Sequence, residues 1–178
     1  MIYTITGPSG SGKTTLVRIL TEKHPEKFRR VVTCTTRKPR NGEVDGEDYF
    51  FEERPAGGLA EWSETHAASA EFDGNFYGIG GQSLVSPDDA SLLVVLEPSG
   101  AREIARLRPH ETTTVYIGVS EALAKRRLKK RRTRAFRRQT ADKKAGLFNR
   151  DGYDVVFENN GSAEELADKF FAMTETVG

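Results

Sequence analysis

The run Ile2-Tyr3-Thr4-Ile5-Thr6-Gly7-Pro8-Ser9-Gly10-Ser11-Gly12-Lys13-Thr14-Thr15-Leu16-Val17-Arg18-Ile19-Leu20 decides the fold. Gly7 to Thr14 match G-x-x-x-x-G-K-[ST] at every fixed position. The match lies between a short apolar strand, Ile2 to Ile5, and an amphipathic helix opening near Thr15, the context that makes such a match a phosphate-binding loop. The glycines allow backbone N–H groups to turn inward around β- and γ-phosphates, and the helix adds its positive end. Lys13 is expected to neutralise phosphate charge, and the Thr14 hydroxyl to sit on Mg²⁺. The segment from Ser9 to Thr15 is therefore a site for a nucleoside triphosphate.

Outward from this loop, apolar strand-like runs alternate with helical ones. Arg30 to Thr36 is β-branched and reads as a second strand. Leu92-Leu93-Val94-Val95-Leu96, Thr113 to Val119 and Tyr153 to Phe157 read as further strands. Helices are expected from about Ala101 to Leu107, after the cap Ser120, and from Ser162, where Ser-Ala-Glu-Glu forms a capping-box pattern. The alternation predicts an α/β protein with a parallel sheet covered by helices on both faces. Residues 37–82 break it. They are rich in Gly, Glu, Asp and aromatics and read as an inserted α+β lobe, so the core comprises 1–36 and 83–178.

The chain has 178 residues, 37% apolar and 30% charged, which suits one globular domain. No apolar run approaches the roughly 18 residues of a membrane span. The first strand runs straight into the loop, leaving no room for a signal peptide. The single cysteine, Cys34, excludes an internal disulfide and a cysteine metal cage, and its β-like surroundings predict a buried structural thiol. A cytoplasmic, reducing location fits these features.

Net charge is +1 but unevenly placed: residues 125–150 hold 13 of the 27 Lys and Arg and one acid, Asp142. The rest has 14 basic and 25 acidic side chains, a net of −11. Such a block attracts a polyphosphate or a nucleic-acid backbone, though Phe136 is its one aromatic before residue 140.

Thr33-Cys34-Thr35-Thr36-Arg37-Lys38-Pro39-Arg40-Asn41-Gly42-Glu43-Val44-Asp45-Gly46-Glu47-Asp48-Tyr49-Phe50-Phe51 closely resembles the signature of the guanylate kinase family, as does Gly74-Asn75-Phe76-Tyr77-Gly78. With the phosphate loop, Tyr153-Asp154 and Asn159, the resemblance covers almost the whole chain. It implies a P-loop kinase fold with an inserted monophosphate-binding lobe and a short basic lid, here about 131–138. It also implies ATP and Mg²⁺ as co-substrate and cofactor. Thr33, Arg37, Arg40, Glu43, Tyr49 and Tyr77 would hold an acceptor monophosphate. Arg127 and Asn159 would serve the ATP site, and Arg131 and Arg137 would close from the lid, with Lys13 and Arg37 acting on the transferring group. The chemistry agrees, because two polyanions must be brought together and neutralised. Planar guanidiniums clamp a phosphate bidentately where lysine cannot.

The sequence departs from the family on the base side. With no gap between Asp48 and Asn75, the glutamate that reads guanine falls on Ala68, and the small hydroxyl residue after Tyr-Gly falls on Ile79. The Asp-x-Asp of the third core strand stands here as Val95-Leu96-Glu97, and the lid is about five residues short. Glu97 is then either a water-mediated magnesium ligand or a nucleotide contact. Two explanations compete for the altered pocket: Glu71 or Glu61 supplies the lost carboxylate and GMP or dGMP is the substrate, or another base, such as a modified pyrimidine, is accepted. A kinase acting on a modified base in DNA, a sugar-phosphate kinase and a non-catalytic binding module are the remaining readings.

Overall fold

The computed structural model describes residues 1–81, 83–86, 88–130 and 149–177. Five parallel strands form the main sheet in the order β2 (Phe28–Arg30), β7 (Ser91–Val95), β1 (Ile2–Thr6), β8 (Thr112–Gly118), β9 (Val155–Glu158). β1 is central, and all five of its residues are buried. Its side chains alternate between two apolar layers, as the period of a strand requires. Tyr3 and Ile5 face α1 (Lys13–Lys23) and the terminal helix α5 (Ala163–Val177), where they meet Leu16, Leu20 and Phe170. Ile2 faces the side of α3 (Pro98–Leu107), with Val94 and Ile104. The expected α/β architecture, a parallel sheet flanked by helices, is therefore present. α4 (Glu121–Lys130) follows β8, and no helix among the described residues is long and apolar enough to cross a membrane.

A second sheet runs β4 (Phe50–Phe51), β3 (Cys34–Thr35), β6 (Asn75–Gly80), β5 (His66–Phe72), with α2 (Gly58–Thr65) packed on it through Trp62. The β5–β6 hairpin turns at Asp73 and Gly74, both at positive φ, the two-residue turn whose twist matches its strands. The strand expected over Arg30 to Thr36 is two strands in two sheets. Arg30 ends β2, Val31 donates to the Leu93 carbonyl, and Cys34–Thr35 pairs with β4 and β6. A continuous β-branched run satisfies either sheet equally, so only the pairing partners reveal where the chain crosses over.

The capping expectations hold. Ser162 Oγ accepts the Glu165 amide at 3.1 Å and Ser120 Oγ the Leu123 amide at 3.4 Å. α3 begins earlier than expected, with Pro98 in its first turn, where the missing N–H costs nothing. Cys34 is buried, as expected. Burial, then the hydrogen bond and charge of Glu52, pushes its thiol up to about 12.

Candidate active site

The loop between β1 and α1 is built for close approach to its backbone. Gly7 has φ 147°, and a Cβ there would lie 2.2 Å from the Ile117 carbonyl oxygen. Gly12 has φ 100°, and a Cβ would lie 2.5 Å from Asn159 Nδ2. No side chain among the described residues caps α1, so its first-turn N–H groups face the loop without a side-chain acceptor. Phosphate oxygens suit such a terminus, and the glycine cradle fits a polyphosphate. Lys13 opens the helix and donates Nζ to the Gly7 and Pro8 carbonyls at 2.6 and 3.1 Å, spanning the loop. Thr14 is exposed in the same first turn, and Ser11 is buried inside the loop.

Arg127 and Asn159 brace this loop from behind. Asn159, buried, donates Nδ2 to the Ser11 carbonyl at 2.6 Å. Arg127, on α4, donates to the carbonyls of Gly10, Asn159 and Gly161 at 3.3, 3.1 and 3.0 Å. Both residues thus reach the loop's backbone from the side of β9 and α4.

Arg37 is the centre of a second cluster. It makes a bidentate pair with Glu43, at 2.8 and 3.0 Å, and lies over the rings of Tyr49 and Phe51 at 5.3 and 5.6 Å. Glu43 also accepts the Arg40 amide at 2.7 Å, while the Arg40 guanidinium stands 3.9 Å away and is half exposed. Tyr49 meets Tyr77 edge-on at 6.2 Å. Two threonines whose role the sequence does not advertise aim the arginine. Thr35 Oγ1 donates to the Phe76 carbonyl at 2.9 Å and accepts the Arg37 amide at 3.2 Å, and Thr36 Oγ1 accepts the Phe76 amide at 2.9 Å. Thr33 accepts the Phe50 amide through its carbonyl.

The electrostatics keep this cluster cationic. Burial disfavours the Arg37 charge, but the hydrogen bond and charge of Glu43 outweigh it and raise the guanidinium above its ordinary value. Burial acts on Glu43 in the opposite sense to its partners. Arg37 and the Arg40 amide prevail and hold the carboxyl below the usual carboxylate range. Burial, then Tyr77, raises the Tyr49 hydroxyl, which stays a hydrogen-bond donor at neutral pH. A lowered folded-state value makes the Glu43 contribution complete above the unfolded value of about 4.3 and lost as pH falls through the lower folded one. The urea-midpoint difference between wild type and Glu43→Gln should therefore be constant near neutrality and shrink below pH about 4. A difference that grows on acidification contradicts the assignment.

The remaining sequence candidates are distributed as follows. Ile79 is fully buried and Ala68 nearly so, both in the apolar layer with Val31, Leu92 and Ile104. Ala68 sits at φ 54° in an irregularity of β5 between Ala67 and Ala70. Glu71 pairs in register with Phe76, which puts it on the sheet face opposite Tyr77, and lies 3.7 Å from Arg54. Glu61 accepts the Gly57 amide at 2.6 Å at the start of α2. Neither glutamate stands beside Ala68. Glu103 does: its Oε1 accepts the Ala68 amide at 3.2 Å. It lies on α3 three residues past Gly100, where a Cβ would touch Ala68, and Glu97 lies three residues before Gly100. Gly100 and Glu103 thus share one face of α3, and Glu97 stands at its N-terminus in extended backbone. Glu97 leaves the main sheet beside the phosphate loop, because Leu96 is bonded to Ile5 and Thr6. Arg131, Arg137 and the expected lid lie outside the described residues.

Residues 1–173 match the family model described as guanylate kinase. The chain belongs to the guanylate kinase family. It is 42% identical over 115 residues to a guanylate kinase of a Nostoc species, a match covering 64% of this chain and 57% of that protein, little more than half of its length. It is 32% identical over 185 residues to a guanylate kinase of a Synechococcus species, covering 97% of this chain and 93% of the relative. The crystal structure of guanylate kinase from Anaplasma phagocytophilum superposes with a TM-score of 0.71 at 26% identity, covering 99% of this chain and 85% of that one. For this guanylate kinase family member, the phosphate-side signature is assembled as one charged cluster. The position expected of the base-reading glutamate is an alanine held against Gly100 and Glu103. Glu103 carries no sequence signal, since a charged residue on a surface helix is ordinary.

Proposed function

We propose that this chain transfers the γ-phosphoryl group of ATP to GMP, forming ADP and GDP. The observation that carries the reading is the pairing of an intact phosphate loop with the Arg37-Glu43-Tyr49 cluster, in a chain matched by its family over residues 1–173. The names of the Nostoc, Synechococcus and Anaplasma relatives support GMP as the acceptor. Cytoplasmic nucleotide metabolism is the setting that suits this reaction.

In this reading Lys13 and the amides of Ser9 to Thr15 hold the donor phosphates, braced by Arg127 and Asn159. The Thr14 hydroxyl and, through water, Glu97 would hold Mg²⁺, which would supply positive charge to offset that of the donor phosphates. Arg37, Arg40, Tyr49 and Tyr77 hold the acceptor phosphate, Thr33 supports them, and Glu43 keeps the Arg37 fork oriented. An acceptor phosphate oxygen attacks the γ-phosphorus in line, and the bond to the ADP oxygen breaks. Positioning and charge stabilisation suffice without a general base. Arg131 and Arg137, outside the described residues, would add their charge to the transferring group. On the base side Ala68 and Ile79 are packed into the apolar layer, and Glu103, beside Ala68, supplies the carboxylate in place of the family's glutamate.

A coupled assay of ADP formation across GMP, dGMP, IMP, AMP, CMP, UMP and modified pyrimidine monophosphates tests this. GMP should be the best ribonucleotide. IMP, which lacks the 2-amino group, should be poorer by a factor of about 10² or more, because a site built to pair a polar group rejects the analogue without it. Turnover of a pyrimidine with GMP inert refutes the substrate, and equal use of IMP refutes the carboxylate role.

A further inference from the structure

Cys34, Glu52 and His66 bring a sulfur, a carboxylate oxygen and a ring nitrogen within 4.8 Å of one another. They come from three places in the second sheet, and each backbone position is fixed by pairing. Cys34 lies in β3 opposite Phe50 and Gly78, Glu52 donates its amide to the Thr35 carbonyl, and His66 is in register with Gly80. The histidine ring stacks on Trp62 at 3.8 Å with the planes 1° apart. Gly78 makes room, since a Cβ there would lie 2.7 Å from His66 Cβ and 2.8 Å from Trp62 Nε1. The ring cannot swing away without breaking that stack.

The tautomer follows from the neighbours. His66 Nδ1 lies 3.1 Å from the Trp62 carbonyl, which can only accept, and 2.9 Å from Thr65 Oγ1. Thr65 Oγ1 donates its own proton to that same carbonyl at 3.3 Å, so it too accepts from the ring. Nδ1 therefore carries a proton. In the neutral ring Nε2 is then a lone pair, and it points at the Glu52 carboxylate oxygens, 3.3 and 3.4 Å away. A lone pair facing a carboxylate is repulsive unless a cation, either a proton on Nε2 or a metal ion, stands between them. A ring nitrogen fixed by an N–H to a backbone carbonyl is also the arrangement in which metal-bound histidines are usually found.

We propose that Cys34, Glu52 and His66 form a binding site for a divalent cation of the zinc class, separate from the phosphate loop and its magnesium. A thiolate, an imidazole and a carboxylate form a donor set that zinc takes readily. Metal–ligand bonds near 2.0 Å at the tetrahedral angle put nitrogen and oxygen roughly 3.3 Å apart, the spacing found here. Charge balances as well: one thiolate, one carboxylate and a neutral imidazole cancel a 2+ ion, which suits a site whose sulfur and ring are buried while Glu52 is 39% exposed. The thiol is protonated without metal. Burial and the hydrogen bond and charge of Glu52 oppose the thiolate, and the Gly80 amide favours it; a coordinated cation displaces the thiol proton outright and offsets the Glu52 charge. A water would complete the four-coordinate shell. The ion would staple β3 to the start of β5, and β3 leads directly into the Arg37 clamp.

The test uses the purified full chain and Co²⁺ as a spectroscopic probe. The chain has one cysteine, so a sulfur-to-cobalt charge-transfer band in the near ultraviolet reports Cys34 alone. One equivalent of Co²⁺ should produce that band together with strong visible bands of tetrahedral cobalt, and Zn²⁺ should bleach both. Cys34→Ser should abolish the charge-transfer band, and His66→Gln should weaken cobalt binding by about 10-fold or more. Absence of the band in the wild-type chain at several equivalents of Co²⁺ overturns the proposal. So does a band of unchanged affinity in His66→Gln. Neither readout involves phosphoryl transfer, so either result leaves the kinase reading where it stands.

Discussion

Lys13→Ala is expected to lower kcat for GDP formation by a factor on the order of 10³, the upper end for loss of one group that stabilises transition-state charge. Lys13 is the cation placed at the mouth of the loop, with Nζ on the Gly7 and Pro8 carbonyls. The loop itself is held by other residues. Asn159 anchors the Ser11 carbonyl and Arg127 the Gly10 carbonyl, so the alanine variant should keep its fold. Steady-state kinetics with circular dichroism and a thermal melt separate the two effects. A variant that stays folded and retains full turnover sinks the mechanism.

Arg37→Ala is expected to reduce kcat/KM for GMP by about 10² to 10³, as truncating one partner of a largely desolvated, hydrogen-bonded charge pair does. The Arg37 side chain is 12% exposed and that of Glu43 19%, so both charges depend on each other rather than on water. The KM for ATP should not move, because Lys13 and the loop lie in a separate cluster. Arg37→Lys should recover only part of the loss. An ammonium cannot make both bonds to Glu43 and lie flat over Tyr49 and Phe51 as the guanidinium does. Full recovery in the lysine variant means that charge alone, not the fork, is what the acceptor site requires.

These two residues were the most legible in the sequence, and for a common reason. The phosphate loop is contiguous, and its glycines, lysine and threonine carry their geometry with them wherever a strand precedes and a helix follows. The Arg37 cluster is nearly as local, since Arg37, Arg40 and Glu43 lie within seven positions of one another. Thr35 and Thr36 carry no such local signal, because their hydroxyls bond to Phe76, some 40 positions away. The base side was legible only as a loss. Ala68 and Ile79 announce that a polar reader is missing, but the alternatives offered by local sequence, Glu71 and Glu61, prove to be turned to Arg54 and to the start of α2. The carboxylate that meets Ala68 belongs to Glu103, 35 positions on, brought there by packing of α3 against β5.

By itself the sequence determined the strand–loop–helix of the phosphate-loop motif, the alternation that makes a helix-flanked parallel sheet, and the arginine pair of the proposed acceptor site. Each depends on residues within one or two turns or a single strand. The tertiary structure alone decided three things. It split Arg30 to Thr36 between two sheets, set Glu103 beside Ala68, and gathered Cys34, Glu52 and His66 from across 32 positions. Pairing register and helix packing bring these groups together, and such long-range contacts leave no periodicity in the chain to read.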